Sequence, residues 1–143
     1  MEESLTYLKE QFELPDVDVR SYSPLVLAYI GDGIYELVIR TAVAGQGNRQ
    51  ANALHKKTST YVKASAQAAM MEAILEDLTE EELAVYKRGR NAKTVSMAKH
   101  ATMHDYRHAT GFEALMGYLY LNHQVNRLID LVKLGMERTE GMP

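Results

Sequence analysis

The sequence predicts an all-α protein folded as one helical domain, and three observations lead there. Apolar residues recur at three- and four-residue spacing nearly throughout, and no stretch alternates apolar with polar residues over the length of a strand. Proline is scarce, with 3 in 143 residues, so few helices would be interrupted from within. With 46% apolar and 24% charged residues the composition is that of a globular chain, and 143 residues suit one core rather than two. The domain is expected over residues 1–143, with about 139–143 as a frayed tail.

The elements follow in order. Residues 4–12 form a short amphipathic helix that ends before Pro15. Ser23 and Pro24 supply a cap and a proline at the first helical position, opening a helix to about Val43 that Gly45 and Gly47 stop. Asn48 or Asn52 caps a segment of about 50–77, which the β-branched run Thr58-Ser59-Thr60 bends or breaks. Thr79 with Glu82 reads as a capping box for a helix to about Arg88. From Gly89 to His108 the chain is basic, polar and poorly periodic, which predicts a long loop, or loops around a short helix. Two helices, 105–123 and 126–138, close the domain.

Composition excludes several functions. The chain has no cysteine, so a disulfide framework, a thiolate metal site and a cysteine nucleophile are ruled out. No uncharged run approaches the ~20 apolar residues of a membrane span, and the acidic start Met1-Glu2-Glu3 is unlike a secretory signal, which predicts a cytoplasmic protein. The net charge of -3 argues against nucleic acid as a partner, but it averages two opposite segments. Residues 72–82 hold Glu72, Glu76, Asp77, Glu80, Glu81 and Glu82 with no base, whereas 87–107 hold Lys87, Arg88, Arg90, Lys93, Lys99 and Arg107 against Asp105 alone. A basic strip of that kind binds phosphate even on an acidic chain.

Two stretches carry the chemistry. From Leu25 to Ile39 the chain is apolar on nearly every helical face, which predicts a helix buried all round, yet Asp32 and Glu36 interrupt it. Residues 110–121, TGFEALMGYLYL, have Glu113 as their sole charge. A lone buried carboxylate costs several kcal/mol unless it is paired, protonated or bound to a metal. Two such helices in a chain without cysteine suggest that Asp32 and Glu113 converge on a hard divalent cation such as Mg²⁺, with Mn²⁺ as substitute. The plainer alternative pairs Asp32 with Arg40 and Glu113 with some other cation, and for a single buried acid it carries more weight. Gly31 and Gly33 tip the balance, because glycines inside a helix call for a close helix contact or access to the carboxylate between them.

The run Tyr29-Ile-Gly-Asp-Gly-Ile-Tyr-Glu36 resembles the signature helix of the ribonuclease III family, a leucine-glutamate-phenylalanine-leucine-glycine-aspartate run, with Gly31-Asp32 matching its last pair. Thr110-Gly-Phe-Glu113-Ala-Leu is similar to the second half of that family's site and places Glu113 on its catalytic glutamate. Together with Leu54-His-Lys-Lys57, Lys87-Arg-Gly-Arg-Asn-Ala-Lys93 and Tyr106-Arg-His-Ala, the whole chain is similar to the Mini-ribonuclease III branch, which has the catalytic domain without a double-stranded-RNA-binding domain. The resemblance implies a ribonuclease III-like helical bundle forming a homodimer. It also implies cleavage of double-stranded RNA with Mg²⁺ at Asp32 and Glu113, and, as substrate, the paired ends of the large-subunit (23S) ribosomal RNA precursor, with a ribosomal protein as a further possible partner.

Two of that family's four acidic positions are absent here, being Ala28 and Thr110, so one tight ion plus one recruited with substrate is the implied arrangement. Thr110 could orient a water, and Glu36 could serve as an outer acceptor or simply pair with Arg40. For RNA, Lys87, Arg88, Arg90, Asn91 and Lys93 form one candidate contact, and His55, Lys56, Lys57, Lys63 and Gln67 a second ridge. Plain solvation is the ordinary explanation of such basic runs. The competing function is a dimeric duplex-RNA-binding ribosome assembly factor that does not cut. Among the histidines, His100 and His104 could share a helix face and hold zinc, a reading ranked below exposed or RNA-facing side chains.

Overall fold

The computed structural model describes residues 2–92, 102–141 and 143. Among these are seven α-helices: α1 Glu2–Gln11, α2 Pro24–Gly45, α3 Ala51–Val62, α4 Ala64–Ile74, α5 Glu80–Arg90, α6 Met103–Leu121 and α7 Val125–Arg138. Short 3₁₀ turns at Val19–Ser21 and Leu75–Asp77 join them, and no strand occurs among the described residues. The all-α expectation holds.

Local chemistry accounts for the starts of α2, α5 and α6. The Ser23 hydroxyl accepts the Val26 N–H and Pro24 takes the first helical position of α2. Thr79 and Glu82 satisfy each other's backbone N–H groups, so the predicted capping box is present at α5. The break in the 50–77 segment falls at Lys63, beyond the β-branched run that was expected to cause it. Ser59 and Thr60 keep helical backbone and turn their hydroxyls onto the carbonyls of His55 and Lys56. Lys63 instead is extended, ending α3 and opening α4. Gln50, with no side-chain cap bond, precedes α3 in place of either asparagine.

The predicted loop after Gly89 is shorter than expected at both ends. Gly89 and Arg90 continue α5, and α6 begins at Met103, where the Thr102 hydroxyl accepts the Asp105 N–H. Lys93 and the rest of 93–101 lie outside the described residues. Nor is the tail wholly free, since the Gly141 N–H donates to Met136 O and its carbonyl accepts from the Tyr61 hydroxyl at 3.2 Å.

Helix α6 is the axis of the fold, with α2, α4, α5 and α7 packed around it. From Ala109 to Leu119 every residue of α6 is buried except Glu113. The all-round burial predicted for α2 therefore belongs to α6. Helix α2 buries Leu27, Gly31, Ile34, Tyr35 and Ile39 but leaves Val26, Tyr29 and Leu37 open to solvent, Tyr29 at 79%. At the centre, the Tyr35 hydroxyl donates to Tyr61 O at 2.7 Å, and its ring meets Phe112 edge-on at 5.0 Å. The acidic segment also has a structural use. Glu82 is 3% exposed and accepts two hydrogen bonds from Arg127, at 2.8 and 2.9 Å, which hold its carboxyl below the usual range although burial alone would raise it.

Three glycines let the backbones touch. A Cβ on Gly31 would stand 1.7 Å from Glu113 O, and one on Gly117 would stand 1.9 Å from Leu27 O, so α2 and α6 cross in direct main-chain contact. A Cβ on Gly89 would lie 2.9 Å from the Gly111 Cα, which lets α5 approach α6 in the same way. Gly33 has open space, so of the two glycines flanking Asp32 only Gly31 is required by packing.

Gly117→Ala should lower the free energy of unfolding by roughly 3 kcal/mol or more, because the obstacle is backbone that cannot rotate away. Gly45→Ala, with nothing near, should stay within about 1 kcal/mol of the parent. Urea denaturation followed by circular dichroism compares the two. Equal stability of the two variants would contradict the crossing.

Candidate active site

The crossing of α2 and α6 decides which side chains meet. Asp32 follows the contact residue Gly31, and Glu113 sits one turn before Gly117, so the two carboxylates face each other beside the glycine contact. They are close enough to share a hydrogen bond. Burial first, then this hydrogen bond and the Asp32 charge, raise the Glu113 carboxyl to about 8, while the Gln67 amide pulls it the other way.

The two acids are not equally buried. Asp32 is exposed and Glu113 is partly buried, so the expectation of two carboxylates sealed in apolar helices holds only for the second. The cause is the one-sided burial of α2. Neither acid has an arginine or lysine partner among the described residues. Arg40 pairs with Glu36 at 3.7 Å, one turn apart on an exposed stretch, which leaves Asp32 free and gives Glu36 a partner of its own.

Thr110 is buried and donates its hydroxyl to Tyr106 O at 2.9 Å, with no hydrogen bond to either carboxylate. Gln67, placed on an RNA-facing ridge by its neighbours in sequence, is 3% exposed instead. Its Nε2 donates to Val62 O at 2.8 Å across the α3–α4 break, and its Oε1 is buried without a partner. The signal for this position was available: Ala66, Ala68, Met70 and Met71 make the surrounding face of α4 apolar, and a lone amide on such a face is a residue with a task.

The cations stand apart from the carboxylates in two groups. Lys87, Arg88 and Asn91 are exposed at the end of α5, and half-buried Arg90 lies over the Tyr86 ring at 5.6 Å and bonds Asn91 Oδ1 at 3.2 Å. Arg90 and Asn91 were expected in a loop, but Arg90 closes α5 and Asn91 caps it. Lys87, Arg88 and Arg90 thus sit in the last turn, where the negative end of the α5 dipole favours them. His55, Lys56, Lys57 and Lys63 are all exposed on α3 and at its end, forming the second group without Gln67. No helix among the described residues is long and apolar enough to cross a membrane.

An oxygen-only pair of facing carboxylates, without a neutralising cation, is a donor set for a hard divalent ion. Comparison with known proteins agrees with a nuclease of this kind. Residues 25–124, which include both acids, match the model of the ribonuclease III domain. The chain is 46% identical to a Mini-ribonuclease 3 of Thermoanaerobacter sp. (strain X514) over 98% of its own length and 99% of the relative's. A Mini-ribonuclease 3 of Enterococcus faecalis is 50% identical over 80% of this chain and 89% of that one. Among solved structures, protein FN1578 from Fusobacterium nucleatum superposes with a TM-score of 0.74 at 33% identity, covering 82% of this chain and 93% of the other. The chain belongs to the ribonuclease III family, among the Mini-ribonuclease 3 proteins, and is an endoribonuclease.

Proposed function

We propose that this endoribonuclease cuts double-stranded RNA as a homodimer, using Mg²⁺ held by Asp32 and Glu113, and that its natural substrate is the paired ends of the 23S ribosomal RNA precursor in the cytoplasm. The observation that carries the reading is the meeting of Asp32 and Glu113 beside the Gly31–Gly117 contact. When bound, the ion would lower the pKa of an attacking water and neutralise charge developing on the phosphate.

The chain's own residues supply position and charge. Asp32, on the open side, is accessible to substrate, while Glu113 is fixed by the buried helix around it. Gln67 restrains Glu113 from the α4 side. Duplex RNA hides its base edges in a deep, narrow groove, so a protein grips its phosphates and 2′-hydroxyls. Lys87, Arg88, Arg90 and Asn91 on one side and His55, Lys56, Lys57 and Lys63 on the other suit that grip, and Lys93 extends the first group in sequence. Support for the dimer comes from Val26, Tyr29 and Leu37, an apolar face on α2 exposed in the single chain and next to Asp32. Maturation of ribosomal RNA rests on the similarity to the Mini-ribonuclease 3 proteins, and a ribosomal protein bound to that precursor would be a natural partner.

Asp32→Asn should reduce Mg²⁺-dependent cleavage of a duplex RNA by about 10²-fold or more while gel-shift affinity is retained. Unchanged cleavage would remove Asp32 from the site. Arg90→Ala should weaken duplex binding alike for unrelated sequences and reduce the salt dependence of log K by roughly one phosphate contact. In the metal-free protein, Glu113 is favoured protonated in the fold, with a carboxyl raised from 4.5 to about 8. Its contribution is therefore fully present below the ordinary carboxylate range and is lost as pH rises through about 8. Glu113→Gln should accordingly gain about 1–3 kcal/mol over the parent at pH 9 relative to pH 5, by urea denaturation in a chelating buffer.

A further inference from the structure

Further along α4 than Gln67, a second group of side chains meets outside the carboxylate pair. Glu72 of α4, with His104 and His108 of α6, brings three potential ligand atoms within 4.8 Å of one another. The histidines are four apart and share a face of α6, with rings stacked at 4.0 Å and 28°. His108 is a partner of His104, and His100 lies outside the described residues.

Hydrogen bonds already orient both rings. The Nδ1 of His108 lies 2.8 Å from His104 O, an acceptor that requires the proton on Nδ1 and leaves the Nε2 lone pair free. The Nδ1 of His104 lies 3.3 Å from Asp105 Oδ1, and its Nε2 points at Glu72 Oε1, 3.5 Å away. A histidine whose Nδ1 is held by a carboxylate or a carbonyl while Nε2 is presented is the arrangement that supports a metal-bound imidazole.

The geometry points to a transition-metal site, of Zn²⁺ type, formed by His104 Nε2, His108 Nε2 and the Glu72 carboxylate, with remaining positions left to water. Two imidazoles and one carboxylate select zinc or its neighbours in the transition series and do not suit Mg²⁺. The site is thus chemically distinct from the oxygen-only pair at Asp32 and Glu113. In a tetrahedral site with bonds of ~2.05 Å, ligand atoms stand ~3.3 Å apart. The three side chains must close by about 1 Å, which Glu72 and His104 can do because both are exposed. Filled, the site joins α4 to the first turns of α6, clamping together the two helices that carry Gln67 and Glu113. The neighbouring Arg90, Asn91 and Arg107 line the same depression as the histidines, so the ion would add positive charge to the phosphate-binding side.

The test uses the full chain and Zn²⁺ itself, titrated against a chromophoric chelator, with Co²⁺ as a spectroscopic reporter. The expected result is one Zn²⁺ per chain, Co²⁺ bands of four- or five-coordinate geometry, and a rise in melting temperature on adding Zn²⁺. His104→Ala and His108→Ala should each weaken binding at least about tenfold, and Asp105→Asn about 10- to 100-fold, with folded circular dichroism spectra. His55→Ala, Asp32→Asn and Glu113→Gln should leave the Zn²⁺ affinity unchanged, which separates this site from the carboxylate pair. Absence of Zn²⁺ binding at micromolar concentration overturns the proposal. So does affinity that survives both histidine variants, which would mean that scattered surface histidines hold the ion and that the Glu72–His104 contact is an ion pair only.

Discussion

Everything in this molecule depends on one main-chain contact. Helices usually keep about 8–10 Å between axes because side chains separate them. Here Gly31 and Gly117 remove those side chains, and Leu27 O and Glu113 O occupy the space their Cβ atoms would need. Such closeness fixes the rotation of α2 about its axis relative to α6, and with it the direction in which Asp32 points. Two acids more than eighty residues apart in sequence meet because two residues without side chains meet first. The α5–α6 contact through Gly89 and Gly111 repeats the device and carries the basic end of α5 to the same central helix.

The molecule uses buried carboxylates in two opposite ways. Glu82 is deeply buried and fully satisfied by Arg127 and the Thr79 cap, so its charge is stabilised and it locks the α5 end to α7. Glu113 has no such cation and faces another acid. The contrast matters because a buried acid is ordinarily a structural ion pair. Their settings in sequence differ, Glu82 following two other acids and Glu113 standing alone in 110–121, but the setting does not name a cation for either. What separates them is the partner, and partners come only with the fold.

Much of the architecture was nonetheless legible beforehand. The cap at Ser23-Pro24 and the capping box at Thr79 are local chemistry, confined to four residues, and local chemistry reads directly from sequence. Asp32 and Glu113 were legible as candidates because single charges in apolar helices are costly, and because the runs around them resemble a known family. Other features were not legible because they depend on contacts across the chain. The exposure of α2 follows from which of its faces α6 covers, and an apolar helix does not announce that one face is left open. The helical state of Gly89 and Arg90 likewise rests on docking against Gly111, which weak local periodicity does not reveal. Gln67 is a different case: the apolar face of α4 around it was legible, and it was grouped instead with the cations beside it.

Glu113 interrupts an otherwise unbroken buried stretch of α6, and that placement has a dynamic consequence. Parts of a protein that open locally are those with few buried contacts, and the middle of α6 has no such freedom. The Glu113 carboxylate cannot be released by fraying of a loop or a terminus; it leaves its position only when the core itself comes apart. Loss of the site on heating and loss of the native fold should then be a single cooperative event, without a folded but inactive form preceding it.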